Sequence, residues 1–230
     1  MTTDYFIVCH NQEIAKSILV DPILGNISSL KILFVGSNPY DGRYRDKVIV
    51  CRDLKFNIEH MPKLVAYTAW YAVVRNDLSK ADNICILEYD ITVTDRFKQM
   101  VEVALSGNCD ALGFVNTTMR DPVFLDVIPE FKEYVFKRYK CHVIDCILKN
   151  SPTNSSFWPS TSNLAMSRNF LNGFVDWYDS IIPTISEMET LAFVHERATI
   201  IYAWIAGLKI NIDSTILKHW MMKSHNNMHS

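Results

Sequence analysis

The stretch Asn83-Ile84-Cys85-Ile86-Leu87-Glu88-Tyr89-Asp90 decides how this chain is read. Its first five residues form a short apolar run, the pattern of a strand buried on both faces of a sheet. The run stops abruptly at Glu-Tyr-Asp, so two carboxylates stand two residues apart, and an extended backbone presents them on the same side. Open parallel sheets bind ligands at the carboxyl ends of their strands. Placing two like charges there is costly unless a cation or a proton neutralises them. A hard divalent cation, Mg2+ or Mn2+, does so and keeps coordination positions for phosphate oxygens. The competing reading is an exposed turn, in which Asp90 or Asp95 merely caps the next helix.

Working outward, the same kind of run recurs. Tyr5-Phe6-Ile7-Val8-Cys9, Lys31-Ile32-Leu33-Phe34-Val35-Gly36, Val48-Ile49-Val50-Cys51 and Ala111-Leu112-Gly113-Phe114-Val115 read as further strands. Helical patterns separate them. Asn11 is placed to cap a helix carrying Ile14, Ile18 and Leu19, and Pro62 opens one running to Asn76-Asp77. Asp95 is placed to cap a third, with Phe97, Met100, Val101 and Ala104 on its apolar face. Strands alternating with helices predict an α/β fold whose central sheet is mainly parallel and covered on both sides. Beyond about residue 120 the pattern becomes helical and loop-bearing. Helices are expected over 124–139, 165–178 and 187–207, with a polar loop over 150–163. One domain is expected over 1–230, residues up to about 120 forming a nucleotide and metal half and the rest an acceptor half.

Composition narrows the function. The chain has 230 residues, 49% of them hydrophobic and 12% aromatic, enough to bury a full core. A formal charge of −2, with neither half basic, argues against nucleic acid as a partner. None of the seven glycines forms a dinucleotide fingerprint or a phosphate-binding loop, and G-x-S-x-G and H-E-x-x-H are missing. The six cysteines lack C-x-x-C spacing and sit mostly in apolar runs, as buried thiols of a cytoplasmic protein do. The longest apolar stretch, Ala198 to Leu208, is far short of a membrane span, and the N-terminus does not read as a signal peptide. Nothing in the sequence separates a whole gene product from one module of a longer polypeptide.

Several segments, in order, resemble the GT-A class of nucleotide-sugar-dependent glycosyltransferases. They are most similar to the families of bacterial capsular-polysaccharide synthesis and of large algal viruses. The helix from Leu64 to Asn76 resembles "E-L-T-x-x-Y-W-x-W-K-N", with Ala66 and Tyr67 replacing parts of the usual start. Leu87-Glu88-Tyr89-Asp90 resembles the "Q-Y-D" strand end that stands in for D-x-D. Ser162-Asn163 and the residues to Arg168 resemble "G-N-M-F-I-x-x", with Ser162 in place of glycine. His195-Glu196-Arg197 resembles the start of "S-E-R-L".

The resemblance implies a soluble cytoplasmic enzyme (in the host cytoplasm, were it viral) that takes a UDP- or GDP-sugar and a glycan or other hydroxyl acceptor. It implies that Asp90, helped by Glu88, binds Mn2+ or Mg2+ on the diphosphate, with Tyr89 beside the nucleotide. A C-terminal histidine would add a ligand, His219 first, then His225, with His229 close to the chain end. Cys9, His10, Arg52 and Asp53 would meet the nucleotide at the ends of strands one and three, and Arg43, Arg45 and Lys47 could reach phosphates. Glu196 would be the general base of an inverting reaction, Asp176 its alternative, with Arg197 holding the charge of Glu196. A buried Glu196–Arg197 pair that only fixes the helix is the competing account. Trp158 and Asn163 would meet the acceptor. Two other functions remain in play. One is a nucleotide-sugar-binding domain without turnover. The other is a haloacid-dehalogenase-type phosphatase, since Glu88-Tyr-Asp-Ile-Thr92 imitates D-x-D-x-[TV]; there a glutamate is one methylene too long for the phosphoryl acceptor.

Overall fold

A computed structural model describes residues 1–64, 66–107, 109–114, 116–118, 128–150, 157–159 and 162–219, apart from the side chains of 116–118, 147–150, 157–159 and 219. In chain order its first elements are β1 (Thr3–Cys9), α1 (Gln12–Val20), β2 (Leu30–Phe34), β3 (Val48–Val50), α2 (Tyr67–Arg75) and β4 (Asn83–Glu88). There follow β5 (Ile91–Val93), α3 (Phe97–Ser106), β6 (Ala111–Gly113), β7 (Asn116–Thr118), α4 (Pro129–Tyr139) and α5 (Val143–Asn150). The last are β8 (Phe157–Pro159), β9 (Leu164–Ser167), α6 (Arg168–Ile185), α7 (Leu191–Ala206), β10 (Ile210–Ile212) and β11 (Leu217–His219).

Seven strands form the central sheet in the order β10-β6-β9-β4-β1-β2-β3. β1 runs parallel to both β2 and β4, β2 to β3, and β10 to β6, while β9 lies antiparallel between β4 and β6. The sheet is covered on both faces, which is why its strands read as unbroken apolar runs. Phe6, Val8, Leu33, Ile84 and Ile86 face a core shared with α2, α6 and α7. Tyr5, Ile7, Cys9, Cys85 and Leu87 face the opposite core, with residues of α1 and α3. All six cysteines are buried thiols. Among the described residues no helix is long and apolar enough to cross a membrane.

Local chemistry fixes most boundaries. The Asn11 side chain accepts from the Glu13 and Ile14 amides, as its position before an apolar stripe predicts. Asp95 does not cap: Arg96 occupies that position in front of α3 and makes no side-chain cap bond. Pro62 starts only a single 3-10 turn, Pro62–Leu64, and the α-helix proper begins at Tyr67. The helix expected over 165–178 is a strand followed by a helix. Leu164-Ala-Met-Ser167 is too short an apolar run for periodicity to assign, and the Ser167 hydroxyl then caps α6 by accepting from the Phe170 amide. The helix expected from 187 begins at Leu191, that expected from 124 is described from Pro129, and β8 and α5 interrupt or follow stretches given no element.

Candidate active site

Because β1 and β4 are parallel neighbours in the middle of the sheet, Val8 pairs with Glu88 and the two strands end together. β2 flanks β1 on the other side, so the chain leaves the sheet in divergent directions here, the topological switch at which α/β sheets bind ligands. A cavity of about 630 Å3 opens at this point. Its walls bring together His10 from the end of β1, Val35, Gly36 and Ser37 from the end of β2, Glu88, Tyr89 and Asp90 from the end of β4, and Phe193 and Glu196 from α7. Glu59 completes the set from the loop before Pro62. Four of the lining side chains are therefore carboxylates, and among the described lining residues there is no lysine or arginine.

Glu88, Glu59 and Glu196 are each held by their surroundings. Asn163, fully buried just before β9, receives the Glu88 amide on Oδ1 at 2.8 Å and donates from Nδ2 to Glu88 Oε2 at 3.2 Å. Asn163 thus orients Glu88 from behind instead of lining the cavity, which corrects its expected place beside an acceptor. The Glu59 carboxylate accepts the Gly36 amide at 3.0 Å, closing the loop after β2 over the site. Gly36 has φ +86°, where a side chain would be strained. Glu196 accepts from Arg197 Nη1 at 2.6 Å, and the same nitrogen donates to the Phe193 carbonyl at 2.9 Å. Arg197 is 3% exposed, so this cation has left water for that pair, and burial lowers its pKa against the pull of Glu196. Burial and the neighbouring Asp90 raise the Tyr89 phenol above its ordinary range, and its ring meets His10 edge-on at 4.9 Å.

The α/β order, the sheet with its antiparallel β9 and the acid-lined crevice can be set beside known structures. No family model matches the chain, and no curated protein matches it. Solved structures do. The bifunctional glycosyltransferase WbbM, in its apo form, superposes with a TM-score of 0.61 at 12% identity, over 96% of this chain and 46% of that one. The fold is that of the GT-A glycosyltransferases. This chain spans less than half the length of WbbM. Two complexes of glucosyl-3-phosphoglycerate synthase from Mycobacterium tuberculosis match more distantly. One, with Mn2+, UDP and glucosyl-3-phosphoglycerate, has a TM-score of 0.48 at 11% identity; the other, with Mg2+ and UDP, has 0.46 at 14%. Both cover 98% of this chain and 74% of the other.

Within the GT-A fold, the remaining expected site residues separate. Cys9 is buried in the core beneath the site and its thiol is pushed up in pKa by burial. Arg52 and Asp53 are exposed in a 3-10 turn; Arg52 donates to the Ser37 carbonyl at 3.0 Å from outside the cavity wall. Arg43 pairs with Asp41, and Arg43 and Arg45 are exposed. Asp176 is not brought to the cavity at all. It lies on α6 near the amino end of β4, at 2.8 Å from Arg75 and beside a separate depression. The β11–β5 ladder sets the His219 backbone opposite Ile91, the residue after Asp90; its side chain lies outside the described residues, as do that of Trp158 and all of His225 and His229.

The donor set fits a hard cation. Among the described residues no three His, Cys, Asp or Glu side chains are grouped to hold a metal ion. Glu88 and Asp90 remain as a carboxylate pair in the crevice, and Mg2+ or Mn2+ is commonly held by one or two carboxylates, with substrate phosphates and water filling its other positions. Glu59 and Phe193 escape periodicity analysis. Glu59 sits in an irregular loop, and Phe193 reads as one more apolar residue of a helix.

Proposed function

We propose that this chain is a divalent-metal-dependent glycosyltransferase that moves a sugar from a UDP- or GDP-sugar to the hydroxyl of a glycan or other acceptor, with inversion. The observation that carries the reading is the charge of the crevice. Four carboxylates line it with no lysine or arginine among its described walls, in a GT-A fold, at the end of the sheet where ligands bind. Such a cavity repels a bare diphosphate and accepts one that arrives with a cation.

On this reading Glu88, oriented by Asn163, and Asp90 hold the cation, and His10 and Tyr89 flank the nucleotide. Bound there, Mn2+ or Mg2+ offsets the charge that builds on the leaving diphosphate. Glu196 takes the proton of the acceptor hydroxyl as that oxygen bonds to the anomeric carbon and the bond to the diphosphate breaks. Arg197 holds Oε2 of Glu196 and so sets the orientation of the carboxylate that meets the hydroxyl. A thermal-shift screen of UDP-, GDP-, CMP- and dTDP-sugars with and without Mn2+ tests the assignment, because a ligand of the native state raises the melting temperature by mass action. A shift that needs both nucleotide and metal is expected. Equal melting with every combination would remove the proposal.

A further inference from the structure

Of the large apolar side chains exposed among the described residues, Phe193 is the one on the wall of the acidic cavity, and it is 51% exposed. It lies three residues before Glu196 on α7, so ring and carboxylate share one helical face toward the same space. Arg197 ties them together, since its Nη1 bridges the Phe193 carbonyl and Glu196 Oε2. The guanidinium carbon stands 6.0 Å from the ring centroid. Ala192, on the same wall, is too small to cover the ring.

We infer that Phe193 is the platform of the acceptor subsite and that the acceptor is a pyranose ring, stacked by its C–H face on the phenyl ring with one hydroxyl directed to Glu196. The inference rests on the transferase reading given above. A pyranoside matches this wall because it is amphipathic: axial C–H groups form an apolar face and hydroxyls form a polar rim. A short acyclic polyol or a phosphorylated acid offers no such face, and the carboxylates beside the ring would repel the acid. Hydroxyl oxygen bonds to the anomeric carbon, the proton passes to Glu196, and the nucleoside diphosphate leaves.

The test uses the full chain with Mn2+ and the donor found by thermal shift, and offers methyl pyranosides and glycerol as acceptors, with products weighed by mass spectrometry. Transfer to at least one methyl pyranoside is expected, and Phe193→Ala should raise its KM about tenfold with kcat within threefold. Phe193→Trp should keep KM within about twofold. Wild-type circular dichroism spectra and cooperative melting in both variants show that both fold. An unchanged pyranoside KM in Phe193→Ala, or glycerol used as efficiently as pyranosides, overturns the inference and leaves the transferase reading intact. Wild-type protein that neither binds nor hydrolyses any nucleotide-sugar would instead sink the reading on which it rests.

Discussion

The two ends of the β4 strand carry carboxylates in opposite circumstances. At its amino end Asp176 and Asp179 close on Arg75, at 2.8 and 2.5 Å, and the Tyr67 hydroxyl donates to Asp179. That cluster ties α2 to α6 and is balanced by its own cation. At the carboxyl end Glu59, Glu88, Asp90 and Glu196 converge on one cavity, and Arg197 reaches Glu196 from the protein interior. Both clusters are built from residues distant in sequence. What separates a brace from a site is where the cation stands: Arg75 sits between two aspartates at one end, and at the other the described walls carry four carboxylates and no lysine or arginine. The comparison also sets the two candidate bases apart: Asp176 belongs to the brace, and Glu196, the proposed base, lines the cavity.

Substitutions at each end should therefore fail differently. Glu196→Gln keeps the size and the bond to Arg197 but cannot take a proton, so kcat should fall by about 10²–10⁴-fold with donor affinity unchanged; steady-state kinetics beside calorimetry checks both. A rate within threefold of wild type would assign Glu196 to structure alone. Arg75→Met should do the reverse. It strands the partly buried Asp179 carboxylate, lowering stability by about 1–2 kcal/mol in urea unfolding while leaving nucleotide affinity within twofold. A large loss of nucleotide affinity there would mean that the two ends are coupled.

Between the ends lies His195, fully enclosed by Tyr67, Trp70, Phe174 and Tyr178, with Ser162 Oγ 3.2 Å from its Nδ1. Burial brings its pKa down to about 3, from an ordinary 6.5. Above pH 6.5 it is neutral folded or unfolded and costs nothing. Below that the unfolded chain gains a proton that the folded chain refuses, so stability should fall by up to about 1.4 kcal/mol per pH unit until the pH nears 3. His195→Gln should flatten that part of the slope relative to wild type. Parallel slopes from pH 6.5 to 4.5 would show that His195 is protonated without unfolding.

How much of this was legible follows from the physics of each signal. β1, β2 and β4 stand out because strands covered on both faces need unbroken apolar runs, and Glu88-Tyr89-Asp90 stands out because charge ends such a run. β9 hides because four apolar residues fit either state, and β5, β10 and β11 are too short to show a period. Asn163 was visible as a polar residue near the site, but its hold on Glu88 depends on β9 lying antiparallel to β4, which no local pattern encodes. Glu59 and Phe193 became notable only once the loop after β2 and the first turns of α7 met at one cavity. Asp176 misled for the converse reason: a carboxylate beside an aromatic on a helix looks alike whether it faces a ligand or Arg75.

The central claim is that Glu88 and Asp90 gather the cation that admits a nucleoside diphosphate. Titrating the nucleoside diphosphate of the best donor into wild-type protein and into Asp90→Asn, each with Mn2+ and with EDTA, measures it directly. The account predicts that Mn2+ tightens binding by about 100-fold in the wild type, some 2.7 kcal/mol, and that the gain vanishes in Asp90→Asn. Equal affinity with and without Mn2+ in the wild type, or a gain that survives in the variant, would contradict it.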